Sequence, residues 1–360
     1  MSITAAAEAL RSGDMSRAEE LARAAVAHSD DLECRLVLAQ ALAWQGRGRD
    51  AEAVLAAAEP ECSANDLLAV ALPRAANQFW MLSEPERATA YLRNVRNRVA
   101  EPTGRTIDAL LATFAMNAGN PRRALEIAAD VLAADDAEDV AVAWAASTST
   151  LSAARTGRLS EVPGFAERAT AAEHPGLLRY TIGLGQITER TLAARLDEAE
   201  HVARQLAEVQ QQQPGRAIAD VLLAMVRMTR GDDTGAVALL SPAAPLLDRT
   251  GYSWGPLALM LLATAAARSG DPAAAGMLSR ARSRHGTKSA LFAPELGLAR
   301  AWQLAAVNDR PGAIAEARQA AQMAQRSGQT AVAVLVWQDA AELGDKYAAG
   351  PLERLRAELT

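Results

Sequence analysis

Apolar residues in this chain recur with helical periodicity in stretches of about 13–18 residues, and two kinds of polar break separate them. The first kind is compact: a small or polar residue, a short polar stretch, then alanine or another apolar residue five positions on. It occurs at Gly13…Ala18, Gly46…Ala51, Ser83…Ala88, Gly119…Ala124, Gly157…Val162, Ala194…Ala199, Gly231…Ala236, Gly270…Ala275, Asn308…Ala313 and Gly344…Ala349. The ten anchors are 33–39 residues apart, about 37 on average. So regular a spacing marks an internal repeat.

The anchor chemistry is that of a helix–turn–helix hairpin. Glycine or asparagine suits the left-handed position that ends a helix. The aspartate or asparagine that often follows caps the next helix, and the prolines of Glu84-Pro85, Asn120-Pro121, Asp271-Pro272 and Arg310-Pro311 sit in its first turn, where a missing N–H does no harm. The second kind of break is looser: Ser29-Asp30, Glu101-Pro102, Asp135-Asp136, His174-Pro175-Gly176, Gln213-Pro214-Gly215, Thr250-Gly251, His285-Gly286 and Ser327-Gly328. Each unit therefore reads as helix A, tight turn, helix B, loose turn.

Composition narrows the fold. Alanine makes up 85 of 360 residues and aromatics only 4%, which favours helices and disfavours sheets. Half the chain is hydrophobic, which argues against disorder. A single hairpin cannot bury its apolar face, whereas stacked hairpins share a continuous core, and small side chains let their helices approach closely. The expected fold is all-α: a right-handed superhelix of about ten stacked antiparallel helix hairpins. Its period exceeds the roughly 34 residues of the tetratricopeptide repeat, and most units lack that repeat's Trp and Leu-Gly signature, so the units are tetratricopeptide-like. We expect one solenoid over residues 1–360, with a soft boundary near 211–216.

Charge and reactive residues exclude several functions. A net charge of −6 gives no overall attraction to nucleic acid. Cys34 and Cys62 form no CxxC, and His28, His174, His201 and His285 form no ligand pair at helical spacing, so neither a metal site nor a disulfide framework is expected. No catalytic constellation stands out, and no enzyme activity is expected. The longest apolar stretch, Pro256 to Ala267, is short of the roughly 20 residues of a membrane span. The N-terminus lacks the basic region and apolar core of a signal peptide. The expected location is cytoplasmic, with no membrane association.

Specific segments carry a resemblance. Residues Leu291 to Trp302 (LFAPELGLARAW), Ala324 to Val332 (AQRSGQTAV) and Asp339 to Asp345 (DAAELGD) resemble the helical-repeat region of large LuxR-family regulators of the MalT type from actinobacteria. Leu38 to Arg47 (LAQALAWQGR), followed by Ala51-Glu52, is similar to the first repeats of that region. The resemblance implies an effector-sensing domain of a transcriptional regulator. The family's ATP-binding switch and helix-turn-helix modules are not in this chain, so ATP and DNA are expected only through modules outside it and no cofactor is expected here. Gly286-Thr287-Lys288-Ser289 is not a phosphate-binding loop. Gln338 and Glu342 stand where the family suggests His and Arg. The rival reading is a free-standing protein-interaction scaffold.

The aromatics are the candidate site. Trp44, Trp80, Trp144, Trp254, Trp302 and Trp337, with Phe79, Phe114, Tyr180, Tyr252 and Phe292, all fall on helix A, the helix that lines the concave surface of stacked hairpins. Either they fill gaps between alanine-rich helices or they form a groove for a small-molecule effector or regulatory protein. Groove candidates are Trp80, Phe114, Trp144, Tyr180 and the cluster Tyr252, Trp254, Phe292, Glu295, Arg300, Trp302 and Trp337, whose charges would orient a ligand. Two basic stretches, Arg93 to Arg98 and Arg280 to His285, end helices B. They read as cations favoured by the helix dipole, or as contacts to DNA phosphate or an acidic partner.

Overall fold

A computed structural model of the chain describes residues 3–29, 31–63, 66–172, 176–209 and 214–360. Asp30, His174, Pro175, Gln213 and part of the 211–216 boundary lie outside the described residues. Among those described there are twenty α-helices in ten hairpins and no strand. The first five hairpins are α1 (Ile3–Ser12) with α2 (Met15–Ser29), α3 (Leu32–Trp44) with α4 (Gly48–Ala58), α5 (Leu67–Ala76) with α6 (Pro85–Arg96), α7 (Thr103–Asn117) with α8 (Pro121–Leu132), and α9 (Asp139–Thr156) with α10 (Val162–Ala171). The second five are α11 (Leu178–Leu192) with α12 (Leu196–Val209), α13 (Gly215–Thr229) with α14 (Asp233–Arg249), α15 (Trp254–Arg268) with α16 (Ala274–Arg284), α17 (Ala293–Ala306) with α18 (Arg310–Arg326), and α19 (Thr330–Glu342) with α20 (Ala349–Ala357).

All ten anchors adopt positive φ, from 58° at Ser83 and Ala194 to 96° at Gly344. In four hairpins the Asp or Asn after the anchor caps helix B as expected: Asp14, Asn120, Asp232 and Asp309 each accept a hydrogen bond from the backbone N–H three residues on. The residue five beyond the anchor is fully buried in eight hairpins, as at Ala18, Ala51, Ala88 and Val162. In hairpins 8 and 10 it is not: Ala275 and Ala349 are exposed, and Ala274 and Ala348 are buried instead. The cause is local. Asp271 and Asp345 bond the N–H only two residues on, at Ala273 and Tyr347, and this tighter turn shifts the register of helix B by one.

Helices A pack on their own helix B and on the next helix A, as in α7–α9–α11 and α13–α15–α17. Two are buried nearly all round. Residues 145–155 of α9 are buried without interruption, mostly Ala, Ser and Thr, and α15 is buried from Gly255 to Ala267. The apolar run 256–267 is thus an interior helix. No helix among the described residues is long and apolar enough to cross a membrane.

The superhelix closes on itself. The turn of hairpin 2 meets the end of hairpin 7, where a Cβ added to Gly46 would lie 3.1 Å from the Arg249 carbonyl. The turn of hairpin 4 meets the approach to hairpin 9 (Gly119 against Ala290), and that of hairpin 5 meets hairpin 10 (Gly157 against Thr330). About five hairpins therefore complete one turn. Helix α9 packs on α19, and segment Thr287–Phe292 packs on α7. Near the end of this seam, Thr360 pairs its N–H with the Gly157 carbonyl and its carbonyl with the Ser160 N–H.

Candidate functional site

Closure leaves a cavity of about 570 Å³ inside the turn. Its walls come almost wholly from helices A: α3, α5, α7, α9 and α11 on one side, and Tyr252, Ser253, Trp254 and Phe292 from across the seam on the other. Helix α5 lines it with Ala69, Leu72, Pro73 and Ala76, and a local distortion then extends this wall. Pro73 removes one helical donor, and Asn77–Met81 continue as a π-turn. The wider turn buries four successive residues, Asn77 to Trp80. It puts Phe79 in stacking contact with Phe114 (centroids 4.2 Å apart) while Trp80 lines the cavity.

Six aromatics line the space: Trp44, Trp80, Trp144, Tyr252, Trp254 and Phe292. Tyr252 bridges the seam, 5.6 Å from Trp44 and 5.5 Å from Trp80 between ring centroids. The polar lining is Gln40, Asn77, Thr106, Thr113, Asn117, Thr148, Thr181 and Ser253, and none of the described lining residues is charged at neutral pH. Much of this polarity is spent inside the protein. Thr113 and Thr148 pair their hydroxyls at 2.8 Å, Asn117 donates to the Thr113 carbonyl, and Asn77 donates to the Gly48 carbonyl. Burial pushes the Tyr252 phenol up to about 12, so it stays protonated.

The same segments hold the seam shut. The Trp80 indole donates to Ser253 Oγ (3.3 Å), and that hydroxyl lies within donating distance of Asn117 Oδ1 (2.9 Å) and the Lys288 carbonyl (2.7 Å). The Lys288 ammonium donates to two carbonyls, Trp80 (2.6 Å) and Gly251 (2.7 Å), which ties hairpin 3 to the turn before hairpin 8. Burial, with Arg284 nearby, lowers its pKa to about 8, which still leaves it charged at neutral pH. Further along, the buried Arg155 of α9 pairs with Glu295 (2.8 Å) and donates to Gln329 Oε1 and the Leu291 carbonyl. Its guanidinium sits 5.1 Å from the centroid of Phe292, a cavity wall residue.

The structure divides the sequence candidates. Tyr252, Trp254, Phe292, Trp80 and Trp144 line one space, joined by Trp44. Tyr252 and Phe292 precede α15 and α17 rather than lying within them. Phe114 and Tyr180 are fully buried core behind the wall. The seven-residue cluster does not assemble. Trp337 is buried in a separate C-terminal core, and Trp302 packs against it. The Trp302 indole donates to Asp339 (2.8 Å), and Arg268 covers its ring. Glu295 is committed to Arg155 rather than free to orient a ligand. Arg300 does not line the cavity; its charge lies beside His285 and, after burial, helps lower that imidazole's pKa.

Sequence reading did not assign the Lys288, Ser253 and Arg155 contacts. The one visible signal was that Lys288 is one of two lysines in a chain of thirty-five arginines. The basic stretches are largely engaged: Arg96 pairs with Asp108 and Glu101, and Arg280 and Arg284 converge on Asp248. Among the described residues no group of His, Cys, Asp or Glu is placed to hold a metal ion.

No family model and no curated protein matches this chain. Solved structures do. A Rap protein complexed with competence and sporulation factor matches with a TM-score of 0.63 at 14% identity, over 92% of this chain and 99% of that one. The fold is that of a tetratricopeptide-like helical repeat. A tetratricopeptide repeat protein from Parabacteroides merdae matches 80% of this chain and 97% of its own, at 13% identity and a TM-score of 0.41.

Proposed function

We propose that this chain is an effector-sensing arm: an effector held inside the superhelix sets how tightly the turn is closed, and closure sets which surface a partner protein meets. One observation carries this reading. Trp80, Asn117, Ser253 and Phe292 line the cavity and also take part in the seam contacts, so an occupant bears directly on closure. The resemblance of residues 291–302, 324–332 and 339–345 to MalT-type LuxR regulators supports a transcriptional regulator as the setting. A free-standing receptor is the second reading. The Rap protein, of nearly equal extent, favours it, because a helical repeat of that size was solved with a factor bound.

The test follows hydrogen exchange across the seam in the full chain. Lys288→Met breaks the tie to hairpin 3. If the seam moves as a unit, the amides of Ser160 and Thr360 at the far end lose protection by about tenfold or more. Unchanged protection there means independent contacts, and the arm has no means of transmission.

A further inference from the structure

Resting on that reading, we infer that the cavity takes an uncharged, largely apolar small molecule bearing a flat ring system. The first support is the wall: six aromatic rings and no charged side chain among the described lining residues, in a molecule that is otherwise 22% charged. A carboxylate, phosphate or ammonium entering this space would leave water without a counter-charge, which costs far more than apolar contact returns. A peptide with free termini meets the same objection. The second support is size: about 570 Å³ lies within the range of small-molecule sites.

The third support is the state of the polar groups. Thr113, Thr148, Asn117 and Ser253 are bonded within the protein. Among the described residues no protein group bonds the Trp44 or Trp254 indole N–H, or the Tyr252 hydroxyl. The wall therefore keeps a few neutral polar groups unengaged, Asn77 Oδ1 and Thr106 Oγ1 among them, for a ligand that supplies one or two matching hydrogen bonds. Partly exposed Trp44, Trp144, Tyr252 and Trp254 present ring faces and edges to it.

A matched probe pair tests the class. N-phenyl-1-naphthylamine is neutral, and 1-anilinonaphthalene-8-sulfonate is the same skeleton with one anionic group. Binding of each to the full chain is read by energy transfer from tryptophan and by calorimetry. We expect one neutral probe per chain with micromolar affinity, and the sulfonate at least about tenfold weaker. Thr181→Trp fills the cavity from α11 and weakens the neutral probe by about tenfold or more; Trp254→Ala, which removes a wall ring, gives a second reading should the filled variant not fold. If the sulfonate binds as well as the neutral probe and the cavity variants weaken both, the inferred class is wrong while the sensing arm stands. If neither probe saturates, or neither variant alters binding, the cavity is no ligand site and both readings fall.

Discussion

Two tryptophan-rich regions of this molecule are built from the same kind of helix and behave differently. In the C-terminal hairpins, Trp302 and Trp337 lie on consecutive helices A and pack within their own stack; Trp302 is bonded to Asp339 and capped by Arg268. In the first turn of the superhelix, Trp44, Trp80 and Trp144 also sit on helices A, yet they face Tyr252, Trp254 and Phe292 across open space. The difference lies in what stands opposite. Where curvature brings a second turn round, its loops close a chamber rather than a core. Where neighbouring helices stack directly, as α17 to α20 do around Trp302 and Trp337, adjacent side chains close on the ring and fill the space.

The comparison breaks most sharply at Trp337, 5% exposed. Trp337→Ala removes a large core side chain and is expected to cost about 3–5 kcal/mol in urea unfolding. A cost near 1 would make the C-terminal region as loosely packed as the chamber. Next is the seam. Arg155→Met leaves Glu295 and Gln329 facing each other without their cation, and because Glu295 is partly exposed we expect about 2–3 kcal/mol. A neutral result would mean the seam does not hold the turn. Chamber substitutions are milder: Trp44→Ala or Trp254→Ala, both partly exposed, are expected to cost about 1–2 kcal/mol in thermal melts, since the part of each ring left exposed gains nothing from protein contact.

The smallest effect is a titration. Burial pushes the Asp339 carboxyl up to about 6, opposed by the Trp302 hydrogen bond and Arg268. A raised carboxyl takes up its proton in the folded chain before the unfolded chain does. This group therefore favours folding as pH falls from about 6 towards the ordinary carboxyl value of 3.8, and weighs against it above pH 6. The Trp302 indole N–H resonance should shift with a midpoint near 6, and Asp339→Asn should abolish the shift. A midpoint near 4 would show an open, hydrated C-terminal core.

What the sequence revealed follows from how local each feature is. All ten hairpin turns were legible because a left-handed C′ residue and the cap after it are decided by two or three neighbours. The register at hairpins 8 and 10 was missed because an Asx turn at Asp271 and Asp345 competes with the ordinary cap, and the residue types are the same in both. The chamber was legible only in part. Placing aromatics on helices A followed from the repeat, but the choice of which rings share one space depends on contacts such as Trp80–Ser253, separated by 173 residues, and Lys288–Trp80, separated by 208. Such pairings follow from the sum of small rotations between hairpins, which no single segment encodes.

The chamber exists only if the second turn returns onto the first. Spin labels on Arg47→Cys and Arg249→Cys, with Cys34 and Cys62 replaced by serine, report the gap between hairpin 2 and the end of hairpin 7 by double electron–electron resonance. A single narrow peak in the shortest resolvable range is the predicted result, sharpened further by saturating N-phenyl-1-naphthylamine. A broad distribution reaching long distances would show an open spiral without a chamber and would contradict the account.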